Sequence, residues 1–151
     1  MKSSKIYIGA DHRGFSLKDK IVKLLGRRGY AVEDVGTFDE ANSCDYPKVA
    51  YRVAKAVAKS RNSRGILMCM SGIGQTIAAN KVRGAYAALC YNAEAAALSR
   101  QHNNANILVL GAKFVKGKDV PKILDAWLTA AFEGGRHHRR FKQIQKIEKD
   151  F

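Results

Sequence analysis

Apolar and polar positions along this chain follow two periods in turn. Short continuous apolar runs recur at residues 5–10, 31–35, 65–69, 85–90 and 107–111, each of strand length and each ended by glycine or polar residues. Between them the period changes to that of a helix. Leu17, Ile21, Leu24 and Leu25 share one face, and Gly29 closes that helix from beyond its last turn. Val49, Val53 and Val57 share another, with Pro47 suited to the first helical position. A helix-like stretch follows at 76–81, and an alanine-rich one at about 92–100. The segment from about 120 to 132 is predicted to bury Ile123, Trp127 and Leu128. After Gly134-Gly135 a last helix carries Phe141, Ile144 and Ile147. Residues 37–46 are polar and irregular.

Strands alternating with helices mean βαβ units, a parallel sheet and right-handed crossovers. The expectation is an α/β fold: a Rossmann-like, doubly wound, five-stranded parallel sheet with helices on both faces and a helix at the C-terminus. The 151 residues fit one domain over 1–151. No internal repeat or low-complexity segment interrupts it.

Ligands of such sheets bind at the carboxyl ends of the strands. Asp11 and His12 follow the first strand, and Cys69 ends the third, so the three can share one rim. Ser71, Gly72, Ile73 and Gly74 then turn the chain towards a helix. A strand, a tight glycine turn and a helix start point backbone N–H groups at an anion. Cys69 beside that nest points to chemistry on an oxyanion, with Ser71 and the N–H groups of Ser71 to Gly74 as donors. The plainer reading is a buried structural cysteine in a strand-turn-helix unit that many folds share. A dinucleotide is not expected, because Ile77 stands where the third glycine of that fingerprint belongs. His102 precedes the fifth strand and so lies at the opposite, amino edge. A strand of five residues spans roughly 17 Å, so Cys69 and His102 of one chain should not meet. If they cooperate, a second subunit supplies one of them.

Charge and cysteine usage add bounds. There are 27 Lys and Arg against 13 Asp and Glu, a net charge of +14, which attracts anions. The basic residues are spread over all the predicted helices rather than gathered in a stripe with aromatics, so nucleic acid is not the expected partner. Cys44, Cys69 and Cys90 cannot all pair and form no Cys-x-x-Cys, which argues for a reducing compartment and against a zinc site. With no membrane-length apolar run, a cytoplasmic protein with no membrane partner is expected. Cys44 and Cys90 are read as structural.

Five segments together resemble the ribose-5-phosphate isomerase B family, which includes the sugar-phosphate isomerases LacA and LacB. They are Gly9-Ala10-Asp11-His12-Arg13-Gly14-Phe15, Asp45-Tyr46-Pro47, Cys69 to Gly74 with Ile77-Ala78-Ala79-Asn80-Lys81, Ser99-Arg100-Gln101-His102-Asn103, and Glu133-Gly134-Gly135-Arg136-His137. The resemblance runs in order through nearly the whole chain. It implies interconversion of ribose 5-phosphate and ribulose 5-phosphate through an enediolate, without a cofactor or metal. It implies that Cys69 is the proton-transfer base, since the glutamate of another subtype would fall at Gln75. It gives His102 the opening of the furanose ring, with Asp11 as a partner. Asp11, His12, Tyr46, Met70, Ser71, Gly72, Ile73, Gly74, Asn103 and Lys113 become sugar-phosphate contacts, and Arg136 and Arg140 phosphate ligands. It also implies a homodimer, or a dimer of dimers, with sites shared between subunits.

Two departures qualify the match. Met70 stands where the family commonly has glycine, inside the nest, and Lys113 where an arginine is usual. Two alternatives stay open at this point: a hexose 6-phosphate isomerase acting on galactose or allose phosphate, and a catalytically silent binder of sugar phosphate or nucleic acid.

Overall fold

A computed structural model describes residues 5–151. Five parallel strands form one sheet in the order β2-β1-β3-β5-β4. They are β1 (Ile6–Ala10), β2 (Val32–Asp34), β3 (Arg64–Cys69), β4 (Ala87–Leu89) and β5 (Ile107–Gly111). The helices are α1 (Phe15–Arg27), α2 (Tyr46–Lys59), α3 (Ile73–Ala79), α4 (Ala93–Gln101), α5 (Val120–Thr129) and α6 (Arg136–Lys149). The predicted doubly wound α/β sheet is therefore present.

The central strands are apolar on both faces because helices cover both. Ile6, Ile8, Ile66, Met68, Leu108 and Leu110 pack with Ile21 and Leu25 of α1, Ala96 of α4, and Ile123 and Trp127 of α5. On the other face Leu67, Ile107 and Val109 meet Val49, Val53 and Val57 of α2, and Ala79 at the end of α3. Alternation along each strand decides which side chain goes to which layer.

The outer strands β2 and β4 are shorter than their apolar runs. They cover three residues each, where the runs cover 31–35 and 85–90. An outer strand pairs on one side only, so its flanking residues leave the ladder first. Helix α5 ends at Thr129 rather than near 132. On α6 only Phe141 of the predicted apolar face is buried; Ile144 and Ile147 stay exposed.

One buried charge ties the layers together. Lys18 of α1 is 2 % exposed and donates to Asp34 Oδ1 at 2.8 Å and to the Thr37 carbonyl. The pair locks α1 against the loop after β2.

The strand order places β1 next to β3, with β2 on one side and β5 and β4 on the other. The chain thus reverses direction of winding between β1 and β3, and their carboxyl ends flank a crevice at that switch point.

Candidate active site

Two short loops open that crevice. After β1, Asp11 turns back on the chain: its Oδ1 accepts from the N–H of Arg13 at 2.9 Å and of Gly14 at 3.0 Å. This Asx turn starts α1 and leaves the second carboxylate oxygen for other partners. His12 is held from the far side, its Nδ1 accepting from the Cys44 N–H at 3.1 Å. That bond assigns the ring proton to Nε2. Cys44 is thus structural through its backbone.

After β3, Gly72 takes a left-handed conformation with φ +81°, and a Cβ there would lie 2.5 Å from Leu89. Only glycine allows that turn. Gly74 is needed for another reason: a Cβ would strike the Tyr46 ring at 2.4 Å. The helix starts at once, at Ile73, earlier than the 76–81 stretch predicted. From behind, the chain after β5 braces this loop, with the N–H groups of Ala112 and Lys113 donating to the carbonyls of Cys69 and Met70.

The result is an open cleft of about 610 Å³ lined by Asp11, His12, Arg13, Tyr46, Cys69, Met70, Ser71, Ile73, Gly74 and Ile77. Eight of the predicted site residues are therefore brought together. Gly72 lies behind them, buried, with its N–H donating to Cys69 Sγ at 3.1 Å. The Ile73 N–H is likewise engaged, by Ser71 Oγ at 3.2 Å. Of the four expected N–H donors, two are thus used inside the turn. Gly74, in the first turn of α3, keeps an N–H that no helical carbonyl can reach, and Ser71 keeps its hydroxyl proton.

The thiol is 5 % exposed. Burial pushes it above the usual cysteine range, and the nearby charge of Asp11 adds to this; the N–H groups of Gly72, Gln75 and Ser71 pull the other way and lose. A nest by itself therefore does not make Cys69 acidic. Met70 does not fill the nest as its position in the turn suggests. Its side chain is exposed at the cleft mouth, where the sulfur accepts from an Arg13 guanidinium nitrogen at 3.7 Å. Lys113 is on the same rim, but its ammonium lies over Phe114 and does not line the cleft.

The remaining predicted residues are elsewhere. His102 caps the C-terminal end of α4, at the amino edge. Its ring stacks on that of His137, with centroids 4.1 Å apart and planes 6° from parallel. Glu133 stands between them, its Oε2 3.8 Å from His102 Nε2 and 3.6 Å from His137 Nε2. Burial, then the charges of His102 and Arg136, push His137 below its ordinary value. Asn103, Arg136 and Arg140 are exposed beside this group.

Four residues without an expected role stand in these places: Arg13 and Ile77 line the cleft, and Glu133 and His137 stand against His102. Arg13 directly follows Asp11-His12, and its adjacency was the available signal. The trio of His102, Glu133 and His137 is the group among the described residues whose ligand atoms, within 4.8 Å of one another, are close enough to share a metal ion. Parallel rings hold their lone pairs parallel rather than convergent, so a cation would require one ring to turn.

Known proteins share this architecture. Residues 6–144 match the model of a family described as ribose/galactose isomerase. The ribose-5-phosphate isomerase B of Escherichia coli K12 is 46% identical over 144 residues, covering 95% of this chain and 96% of that one. The structure of ribose-5-phosphate isomerase B from Clostridium thermocellum superposes with a TM-score of 0.94 at 48% identity, over 97% of this chain and 98% of the other. That of the Mycoplasma genitalium enzyme with bound ribulose 5-phosphate gives 0.95 at 43% identity, over the full length of both. By these matches across its length, this chain belongs to the ribose/galactose isomerase family.

Proposed function

We propose that the chain, as one domain over 1–151, is a ribose-5-phosphate isomerase whose working unit is a homodimer with shared sites. The observation that carries this is the division of polar groups between the two sheet edges. Cys69, Asp11, His12 and Ser71 meet at one edge, while His102, Asn103, Arg136 and Arg140 stand at the other. A strand of five or six residues keeps the edges roughly 17–20 Å apart. A two-fold dimer can set the amino edge of one copy over the cleft of the other.

The cleft also carries apolar surface suited to such a cover. Tyr46, Met70, Ile73 and Ile77 are all exposed around its mouth, and an apolar rim of this kind marks an interaction surface.

The chemistry follows from the groups. Ring opening needs a proton delivered to the ring oxygen and one removed from the anomeric hydroxyl. Imidazole is the side chain that suits both transfers near neutral pH, and the His102 ring is stacked on that of His137 beside Glu133. Isomerisation then removes the C2 proton of the open aldose. Cys69, as thiolate, takes that proton and returns it to C1, while the hydroxyl proton on O2 passes to O1, so that the C1 carbonyl becomes a hydroxyl and C2 the carbonyl. The oxygen that gains negative charge meets Ser71 O–H and Gly74 N–H. Since burial holds the thiol protonated in a single chain, positive charge must reach the cleft to draw out the thiolate. Arg13 stands at the mouth, and the phosphate clamp of a second copy, Arg136 and Arg140, brings more. They lie four apart on α6, on one face, and two guanidinium forks fit one phosphate. The soluble cytoplasmic setting of sugar-phosphate metabolism suits this reaction.

The test is turnover of ribose 5-phosphate by purified protein, with allose 6-phosphate and galactose 6-phosphate in parallel and without added metal. Ketose formation fastest from ribose 5-phosphate is expected. A preference for either hexose phosphate would reassign the substrate, and no turnover of any of them would overturn the enzymatic reading.

A further inference from the structure

A second polar cavity, of about 360 Å³, opens at the amino edge, and nothing in the isomerase reaction uses it. Arg61, Arg64 and Arg100 line it with Asn62, Asn104 and Tyr86. Neither His102 nor Arg136 nor Arg140 does. We propose that this cavity is a second anion site, which takes a phosphate dianion, free or as a small monoester, between the guanidinium groups of Arg61, Arg64 and Arg100.

The argument begins with charge that has no counter-charge. Arg64 opens β3 and is half-buried; one guanidinium nitrogen donates to the carbonyls of Trp127 and Leu128, both at 3.1 Å, and the group stacks 5.3 Å from the Trp127 ring centre. It cannot swing out to solvent without losing these contacts. Arg100, on α4, donates from one terminal nitrogen to the Ala105 carbonyl, and its Nε is buried with no partner. Burial first, and then the charge of Arg64, pull Arg100 down to about 10. Among the described residues no carboxylate pairs with Arg61, Arg64 or Arg100. Two neighbouring cations are thus fixed in a half-buried cavity with spare N–H donors and no acid.

Such a constellation is destabilised by desolvation and by like-charge repulsion, and an anion relieves both at once. Guanidinium forks match the oxygens of phosphate two at a time. Asn62 and Asn104 add amide groups that can hydrogen-bond to an ester's hydroxyl groups. The cavity holds a small ester but offers no slot for a base, because Tyr86 and Phe141 close one wall edge to face, with centroids 4.8 Å apart.

The site is separate from the cleft in both position and residues. Arg64 and Cys69 are the two ends of β3. The experiment must therefore silence the phosphate clamp first. Calorimetry with inorganic phosphate, and separately with glycerol 2-phosphate, is performed on the Arg136→Ala/Arg140→Ala protein at low ionic strength. One site per chain is expected. Adding Arg100→Gln should weaken it about tenfold or more, the range for a charged hydrogen bond, and adding Arg61→Gln should weaken it less. Each protein's melting temperature is read with and without ligand, so that a variant with altered folding is recognised; Arg61 is exposed, so its variant stands as the independent arm. The arm that binds tighter shows whether free phosphate or an ester is preferred. No heat and no stabilisation by either ligand would overturn the proposal. So would binding that survives both Arg100→Gln and Arg61→Gln.

Discussion

The two edges of the sheet solve the problem of an anionic substrate differently. At the carboxyl edge the polar groups are a thiol, a carboxylate, an imidazole, two hydroxyls and backbone N–H groups, set by two tight turns, with the single guanidinium of Arg13 at the mouth. At the amino edge they are guanidinium and imidazole groups on α4 and α6. Parallel topology underlies the contrast. Helices that follow strands begin at the carboxyl edge, where their free N–H groups gather, and α1 and α3 do so beside the cleft. Helix α4 ends at the amino edge, where free carbonyls favour cations, and Arg100 and His102 stand there. One edge thus suits a developing oxyanion and the other a fixed phosphate. A sugar phosphate needs both, and one chain cannot bring its own two edges together.

The largest effect is expected at Cys69, at the carboxyl edge. Cys69→Ser should lower kcat by about 10²–10⁴-fold, the span of a positioned acid–base group, with KM little changed. Initial rates on ribose 5-phosphate check it; turnover within a few-fold of the parent would remove the thiol from proton transfer.

The amino edge is tested next. Arg136→Ala and Arg140→Ala should each lower kcat/KM by about 10- to 100-fold, since charged hydrogen bonds contribute about 1.5–3 kcal/mol. Most of that should appear in KM if the clamp only binds, and in kcat as well if phosphate contacts also position the reacting carbons. An unchanged double variant would make these arginines ordinary solvated side chains.

Subunit mixing joins the two edges. Cys69→Ala and His102→Ala proteins are each expected to be inactive. After subunit exchange, each mixed dimer has one of its two sites intact, so part of the activity should return. Confirmed exchange with no recovery would show that the edges do not cooperate across subunits.

A smaller effect separates structural from catalytic histidine. His137 is held below its ordinary value, so the unfolded chain takes up its proton first as pH falls. The stability this contributes is present above about pH 6.5 and is lost as pH falls through the folded-state value. Melting curves at descending pH should show a loss that His137→Gln reduces. Equal slopes in both proteins would exclude His137 as the source.

The smallest effect concerns Gln75, which is fully buried and whose side-chain amide finds no partner. Gln75→Met removes that unsatisfied amide at similar volume. An unchanged or raised melting temperature is expected, by about 2–4 °C for each 1 kcal/mol gained in a chain of this size. A fall would mean that the amide is hydrogen-bonded in solution.

Much of this molecule was legible in the pattern of residues. Five apolar runs and the helical spacing of Leu17, Ile21 and Leu25 or of Val49, Val53 and Val57 gave the sheet, its helices and the shared rim of Asp11, His12 and Cys69. Strand ends were less legible, because an outer strand's length depends on pairing with a neighbour that local sequence does not name. The stacked His102 and His137 were illegible for a similar reason. They are 35 residues apart, and only α6 folding back past Phe132 onto Tyr86 brings their rings together.

Periodicity and turn chemistry are local, so the sequence alone determined the elements, their order and the glycine turn that presents Cys69. Balance between opposing effects is not local. Whether the nest or burial governs the Cys69 thiol, whether Met70 fills the turn or leaves it, and whether Arg64 and Arg100 share a cavity all depend on groups distant in the chain. Only the tertiary structure decided them, because desolvation and Coulomb interactions depend on distance in space rather than separation along the chain.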